Sequence, residues 1–250
     1  MTRVRLLRLV LGIGGIVMSL AGWEAFGRMQ VFGYSFPAFS SVVETLLDPT
    51  KNGLFTRALE TTLSEAAVGF LLGSALAIAI SLVAAALPIL QDGLARFAAL
   101  AASAPVVALG PLLIIFFPRE ASPVVNSTLA VFFAAFVASS AGLLSAPAAQ
   151  GDVLASLGAG RFQRLVRLQI PFAVPDMVAG LRFGGPAAML GAIIGEWFGS
   201  ERGLGVLLLT SMQNIDIDLM WAAAVLSAGV SLIVFGLMSV LQQASYERFR

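Results

Sequence analysis

Four stretches of this sequence run for at least 22 residues without an Asp, Glu, Lys or Arg: Ala66 to Gln91, Phe97 to Pro118, Ala121 to Gly151 and Leu219 to Tyr246. The hydrocarbon core of a bilayer is about 30 Å thick and takes about 20 apolar helical residues to cross. Each stretch is therefore long enough to be a span. Two weaker stretches join them: Leu9 to Phe26, interrupted by Glu24, and Pro175 to Trp197, which carries Asp176, Arg182 and Glu196 mostly toward its ends. The pattern predicts an all-α integral membrane protein with about six transmembrane helices. Composition agrees, since only 12% of residues are charged where a soluble chain carries about 25%.

What the chain lacks excludes whole classes of chemistry. It has no cysteine and no histidine, so disulfides, thiolate nucleophiles, Cys or His zinc sites and Ser-His-Asp triads are all out of reach. No metal site and no catalytic residue is expected. A net charge of +1 supplies no basic field for nucleic acid.

Orientation is read from the basic residues. With six spans both termini share a side, which would hold Arg3, Arg5, Arg8, Arg96, Arg161, Arg164, Arg167, Arg248 and Arg250, with Arg182 snorkelling toward it. Arg28, Lys51, Arg57, Arg119 and Arg202 fall on the other side. Ten against five of the 15 basic residues places both termini in the cytoplasm of a multi-pass protein of the cell (inner) membrane. A rival reading treats the first apolar run as a cleaved signal, because Arg3, Arg5 and Arg8 precede it and Ser19-Leu20-Ala21 follows. Residues 28 to 60 form the longest external segment, expected to contain one interfacial helix. Trp23, Trp197 and Trp221 fall near outer ends of spans, as amphipathic rings prefer. The domain division is 1–55, a first helix and external segment, and 56–250, the main membrane domain with a cytoplasmic loop at about 145–174.

Within that loop, residues 152 to 169 read as two short amphipathic helices with a hinge. Val153, Leu154 and Leu157 form the apolar side of the first, Gly158-Ala159-Gly160 breaks the chain, and Phe162, Leu165 and Val166 form the apolar side of the second. Arg161, Arg164 and Arg167 recur every three residues along the second. Such an element can dock into a groove of a partner protein or lie on anionic lipid.

The same stretch resembles the cytoplasmic signature of binding-protein-dependent ABC importer permeases: Glu-Ala-Ala, three residues, Gly, nine residues, Ile-x-Leu-Pro. Asp152-Val153-Leu154 occupies the first slot, with both alanines replaced, Gly158 has the right spacing, and Leu168-Gln169-Ile170-Pro171 closes the pattern. Gly180-Leu181-Arg182, Gly195-Glu196-Trp197-Phe198-Gly199-Ser200 and Gly203-Leu204-Gly205 follow as in the nitrate, sulfonate and taurine-type branch. Ala104 to Leu112 resembles that branch's proline-containing third span. The resemblance covers Thr56 to the C-terminus.

The resemblance implies a type I ABC importer transmembrane fold and a half-transporter: two permeases, expected to be identical, form the path; two cytoplasmic ABC ATPase subunits hydrolyse Mg-ATP; and a periplasmic or lipid-anchored binding protein delivers a small solute, sulfonate- or nitrate-like or pyrimidine-like. No cofactor is expected in this chain, and it is no enzyme: its only lysine, Lys51, follows Thr50 rather than a P-loop glycine. Asp152, Val153, Leu154, Leu157, Gly158, Ala159, Gly160, Arg161 and Pro171 are the candidate ATPase-coupling residues. Gly158 would allow the turn, Asp152 would cap or charge-pair the first helix, and Arg161 would anchor the second. Pro171, Pro175 and Asp176 mark the expected start of the fifth span.

Pro105, Pro111, Arg182 and Glu196 are candidates for the translocation path or gate, with snorkelling the alternative for Arg182 and capping of the Gly199–Gly205 turn or pairing within a dimer the alternative for Glu196. Helix kinking and small-residue packing are the alternative for the Pro- and Gly-rich spans. An ATP-independent secondary transporter or channel subunit is the competing function, although four spans lack the mid-span charges that ion relays use. A non-transporting anchoring subunit is the third.

Overall fold

The computed structural model describes residues 2–87, 89, 90, 93, 96 and 106–249. Among these every element is helical. Among the described residues five helices are long and apolar enough to cross a membrane: Val10–Arg28, Asn52–Ala86, Arg119–Leu144, Arg161–Gly199 and Ile217–Glu247. The first nine residues of the remaining expected span, Phe97 to Pro118, lie outside the described residues, and Pro105 is among them. Its described part is the short helix α4 (Val106–Phe116), which contains Pro111.

The chain divides into two compact units. The first comprises Met1–Thr56 and Leu207–Leu226 and includes α1 (Thr2–Arg28) and α2 (Phe39–Leu47). Ile13, Ile16, Val17 and Met18 of α1 are all exposed, which suits a helix whose solvent is lipid. Glu24 interrupts the first apolar run because it caps α2: its carboxylate accepts the backbone N–H and the hydroxyl of Ser40, each at 2.9 Å. Trp23 and Trp221 meet edge to face at 5.2 Å, with Phe36 against Trp221 at 5.2 Å. Their indole N–H groups donate to the carbonyls of Pro37 and Ser35. These rings pack edge to face on one another and so form a structural cluster.

The second unit comprises Arg57–Val206 and Ser227–Arg250. Its centre is an antiparallel pair, α5 (Ser122–Leu144) and α8 (Ile170–Gly199). Glycines set how close the pair comes. A Cβ at Gly180 would strike Ala135 and Ala138, one at Gly191 would strike the backbone of Asn126 and Ser127, and one at Gly195 would strike Pro123. On α5, Gly142 lies against Ala173 and Asp176 of α8. Positions rise on one helix as they fall on the other, so the stripe runs the length of the pair. Small residues let helix backbones approach in lipid, where no hydrophobic effect drives them together. The glycines of the fifth span are therefore accounted for by packing. From α3 (Asn52–Ala86), Gly69 and Gly73 press on Ser127, Thr128 and Val131, and Ser81 and Ser140 share a hydrogen bond at 3.2 Å.

Two boundaries differ from those read in the sequence. The fourth span ends at Leu144, not Gly151; Pro147 disfavours helix in the residue before it, and the chain restarts as α6 (Ala148–Ser156). The fifth span does not begin at Pro171 to Asp176. Helix is continuous from Arg161 to Gly199, through α7 (Arg161–Arg164), a π-helical turn at Leu165–Gln169 and then α8. Pro171 lacks the N–H that would bond the Arg167 carbonyl, and its ring crowds that carbonyl. The widened turn contains Arg167 and absorbs the proline without ending the helix.

Candidate functional site

The loop between α5 and α8 has the helix–turn–helix form expected of it, with shifted bounds. Helix α6 ends in a paired hydrogen-bond motif: the Ala159 N–H reaches the Leu154 carbonyl at 2.9 Å and the Gly158 N–H reaches Ala155 at 2.9 Å. Gly158 has φ +82°, in the left-handed region that a side chain disfavours. Gly160 then starts α7, its N–H donating to Gln163 Oε1 at 3.2 Å. Asp152 does not cap α6. That helix starts at Ala148 after Pro147, which leaves Asp152 in its second turn, exposed, beyond the orphan N–H groups a cap would serve.

Apolar residues of the loop divide into anchors and free surface. Leu165 joins Leu143, Ala173 and Met177 in a buried cluster, and Leu168 is also buried. The expected apolar side of the second helix is thereby split: Leu165 is inside, while Phe162 and Val166 are exposed. Around the glycine turn Val153, Leu157 and Phe162 are 59%, 78% and 75% exposed, and Leu154 and Ala159 are half-buried. Asp152, Arg161 and Arg164 line one cavity of about 360 Å³ with Gly151 and Gln169, and the Nε of Arg164 is buried without a partner. The combination is a hydrogen-bonded turn carrying exposed apolar side chains beside guanidinium groups, which suits a groove on a folded partner.

A second constellation gathers on Glu196, near the far end of α8. Its side chain is 1% exposed. One carboxylate oxygen accepts the Thr62 hydroxyl at 2.5 Å, and the other accepts the Gly205 N–H at 2.5 Å. Thr62 accepts the Leu204 N–H at 2.8 Å, and the Val206 N–H also donates to Glu196. The first three N–H groups of α9 (Leu204–Gln213) are thus met by two side chains from α8 and α3, at the end where the helix dipole favours negative charge. A Cβ on Gly203, which has φ +132°, would collide with the Glu196 carboxylate, and one on Gly205 would meet the Ile193 carbonyl. Capping of the turn, one of the alternatives for Glu196, is what the geometry displays.

Thr62 and Glu65, one turn apart on α3, complete this cluster, with Glu65 in hydrogen-bond contact with Glu196. Sequence reading missed both as partners. Beside them a cavity of about 620 Å³ is lined by Glu65, Arg119, Glu120, Trp197, Glu201 and Arg202 among others. Gly199 sits against the Arg119 carbonyl and the Phe198 ring covers Gly110, so the segment holding Pro111 packs on the end of α8. Arg182 lies apart from both sites. It donates to Gln242 Oε1 at 2.9 Å and rests on Phe235.

Comparison with known proteins adds to this geometry. Residues 69–245 match the family described as binding-protein-dependent transport system inner membrane component. The chain is 31% identical to a probable ABC transporter permease protein of Haemophilus influenzae over 93% of its own length and 94% of that protein's. It is 29% identical to the formylaminopyrimidine transport permease protein ThiX of Halalkalibacterium halodurans, over 80% of each. A chain of the MetNI methionine ABC transporter in an inward-facing conformation superposes with TM-score 0.66 at 17% identity, covering 80% of this chain and 99% of that one. The likeness shows the same permease fold.

Proposed function

Because the chain belongs to the binding-protein-dependent transport system inner membrane components, and is therefore a multi-pass permease subunit of an ABC importer and not an enzyme, we propose that the loop of residues 152 to 171 couples it to a separate ATPase. In this reading two copies of the permease form the path, two ATPase subunits bind and hydrolyse Mg-ATP, and an external binding protein delivers the solute. The observation that carries it is the glycine turn with Val153, Leu157 and Phe162 standing exposed around it. Closure of the ATPase pair around nucleotide would push that turn. Leu165 and Leu168, buried at the start of the helix that becomes α8, would pass the movement into the membrane because helix runs unbroken from Arg161 to Gly199.

The solute is a small molecule, sulfonate- or nitrate-like or pyrimidine-like. Support for the pyrimidine class is the similarity to a formylaminopyrimidine permease; the sulfonate class rests on the sequence motifs. Glu196 braces the outer end of α8 against α3 and α9, and Pro111, in the segment packed on that end, belongs to the same gate. Arg161 anchors the second loop helix.

The test is ATP-driven uptake into vesicles carrying the permease and its ATPase. Gly158→Val forces a β-branched residue into left-handed backbone. It is expected to lower solute-stimulated ATP hydrolysis about tenfold or more, while the assembled complex still purifies, since a misplaced contact of 1–2 kcal/mol is worth about that factor. Unchanged stimulation, or uptake that needs no ATP, would contradict the reading.

A further inference from the structure

One charged side chain plays no part in this scheme. Arg182 sits within a membrane-spanning helix, where a guanidinium with five donors needs partners that hydrocarbon does not supply. Its Nη1 reaches Gln242 on α10 (Ile217–Phe249) at 2.9 Å, while its Nε is buried with no hydrogen-bond partner. The guanidinium carbon lies 4.2 Å from the Phe235 ring centroid and 5.4 Å from that of Phe183. No carboxylate among the described residues pairs with it. A buried donor left over on a permanent charge marks a place where an acceptor belongs.

The depth of the site follows from α10. From Val230 to Leu241 that helix is apolar but for Ser231 and Ser239, and Gln242-Gln243 begins its polar end. Arg182, bonded to Gln242, is therefore at the boundary between hydrocarbon and headgroups. Further into the polar zone Asp176, six residues before Arg182, already accepts the hydroxyl of Tyr246, one turn beyond Gln242, at 3.4 Å. One turn the other way, about 5 Å along the helices, a wholly apolar cavity of about 280 Å³ opens, with Ala67, Phe70, Gly185, Met189, Val234 and Met238 among its walls. Leu71 in its wall and Phe183, two residues before Gly185, are 67% and 59% exposed, so apolar surface suited to acyl chains adjoins it.

We propose that Arg182 and Gln242 hold the phosphate of an anionic phospholipid, one acyl chain of which enters the apolar cavity between α3, α8 and α10. The order is that of a lipid: an anion acceptor at headgroup depth, an aromatic shelf, then a dry slot smaller than the roughly 300–1,000 Å³ of small-molecule pockets. The site offers one cation and no available acid for a choline, which selects a headgroup with net negative charge.

Native mass spectrometry of the full-length permease, purified from membranes with its accompanying subunits, tests this with phosphatidylglycerol and phosphatidylcholine added at equal concentration. Retention of phosphatidylglycerol is expected to exceed that of phosphatidylcholine, and Arg182→Gln is expected to cut it about tenfold, the worth of one charge-assisted hydrogen bond. Ala67→Phe fills the slot from an exposed position and is expected to reduce retention with Arg182 intact; it decides the matter if the arginine variant fails to fold. Equal retention of both lipids, retention unchanged in Ala67→Phe, or displacement of the lipid by inorganic phosphate as effectively as by phosphatidylglycerol would overturn the proposal. The last result would mark a small-anion site on a solute path.

Discussion

At the scale of single residues, Glu196 shows how a buried carboxylate earns its place in a membrane protein. It is 1% exposed and, with Thr62, answers the N–H groups of Leu204, Gly205 and Val206. Removing the acceptor leaves buried donors unsatisfied, at about 1–3 kcal/mol each. Glu196→Ala is therefore expected to lower the thermal midpoint of the purified permease by several degrees and Thr62→Ala by less, and the double variant to fall short of their sum, because the two side chains share one cap. Additive losses, or a midpoint unmoved in Glu196→Ala, would contradict the cap. The glutamate and the Gly203-Leu204-Gly205 turn were legible together in the sequence, nine residues apart or fewer. Thr62 and Glu65 were not, since they lie more than 130 residues away on α3 and only a tertiary contact joins them. Their one local sign is a pair of polar residues a turn apart where a long apolar run begins.

At the scale of elements, α5 and α8 are matched by a stripe of glycines rather than by bulky side chains. Gly191→Leu would drive a side chain into the backbone of Asn126 and Ser127, and overpacking of this kind costs about 1–3 kcal/mol or more. The expected outcome is a sharp loss of folded permease in detergent, read by size-exclusion chromatography. The same change at Gly12, which has open space around its Cβ position, is expected to leave the yield unaltered. Equal behaviour of the two variants would remove the case for close packing. Apolar length made the spans readable, and Gly158 made the loop's turn readable, because glycine alone enters left-handed backbone freely. The start of the fifth span was misread for a physical reason: Pro171 and Pro175 look like a beginning, but a π turn upstream absorbs the first of them and helix continues from Arg161. Nothing in the local composition of Leu165–Gln169 announces that turn.

For the whole molecule, the absence of histidine, cysteine and any P-loop lysine accords with a permease that supplies a path while its partners supply energy. From the excess of arginine on one side, we propose that both termini are cytoplasmic. A fluorescent protein fused after Arg250 is expected to fluoresce in cells, and an exported reporter fused there to stay inactive; the reverse pair of results would invert the topology and place the glycine-turn loop outside, away from any ATPase.

The chain has no cysteine, so Leu157→Cys gives a unique thiol on the exposed turn. With a bifunctional cross-linker and the assembled importer in membranes, the account expects a product joining this chain to the ATPase subunit, formed at a rate that changes when nucleotide is bound. A complex that imports solute on ATP while the Leu157→Cys thiol reaches lipid alone, with no ATPase product in any nucleotide state, would contradict it.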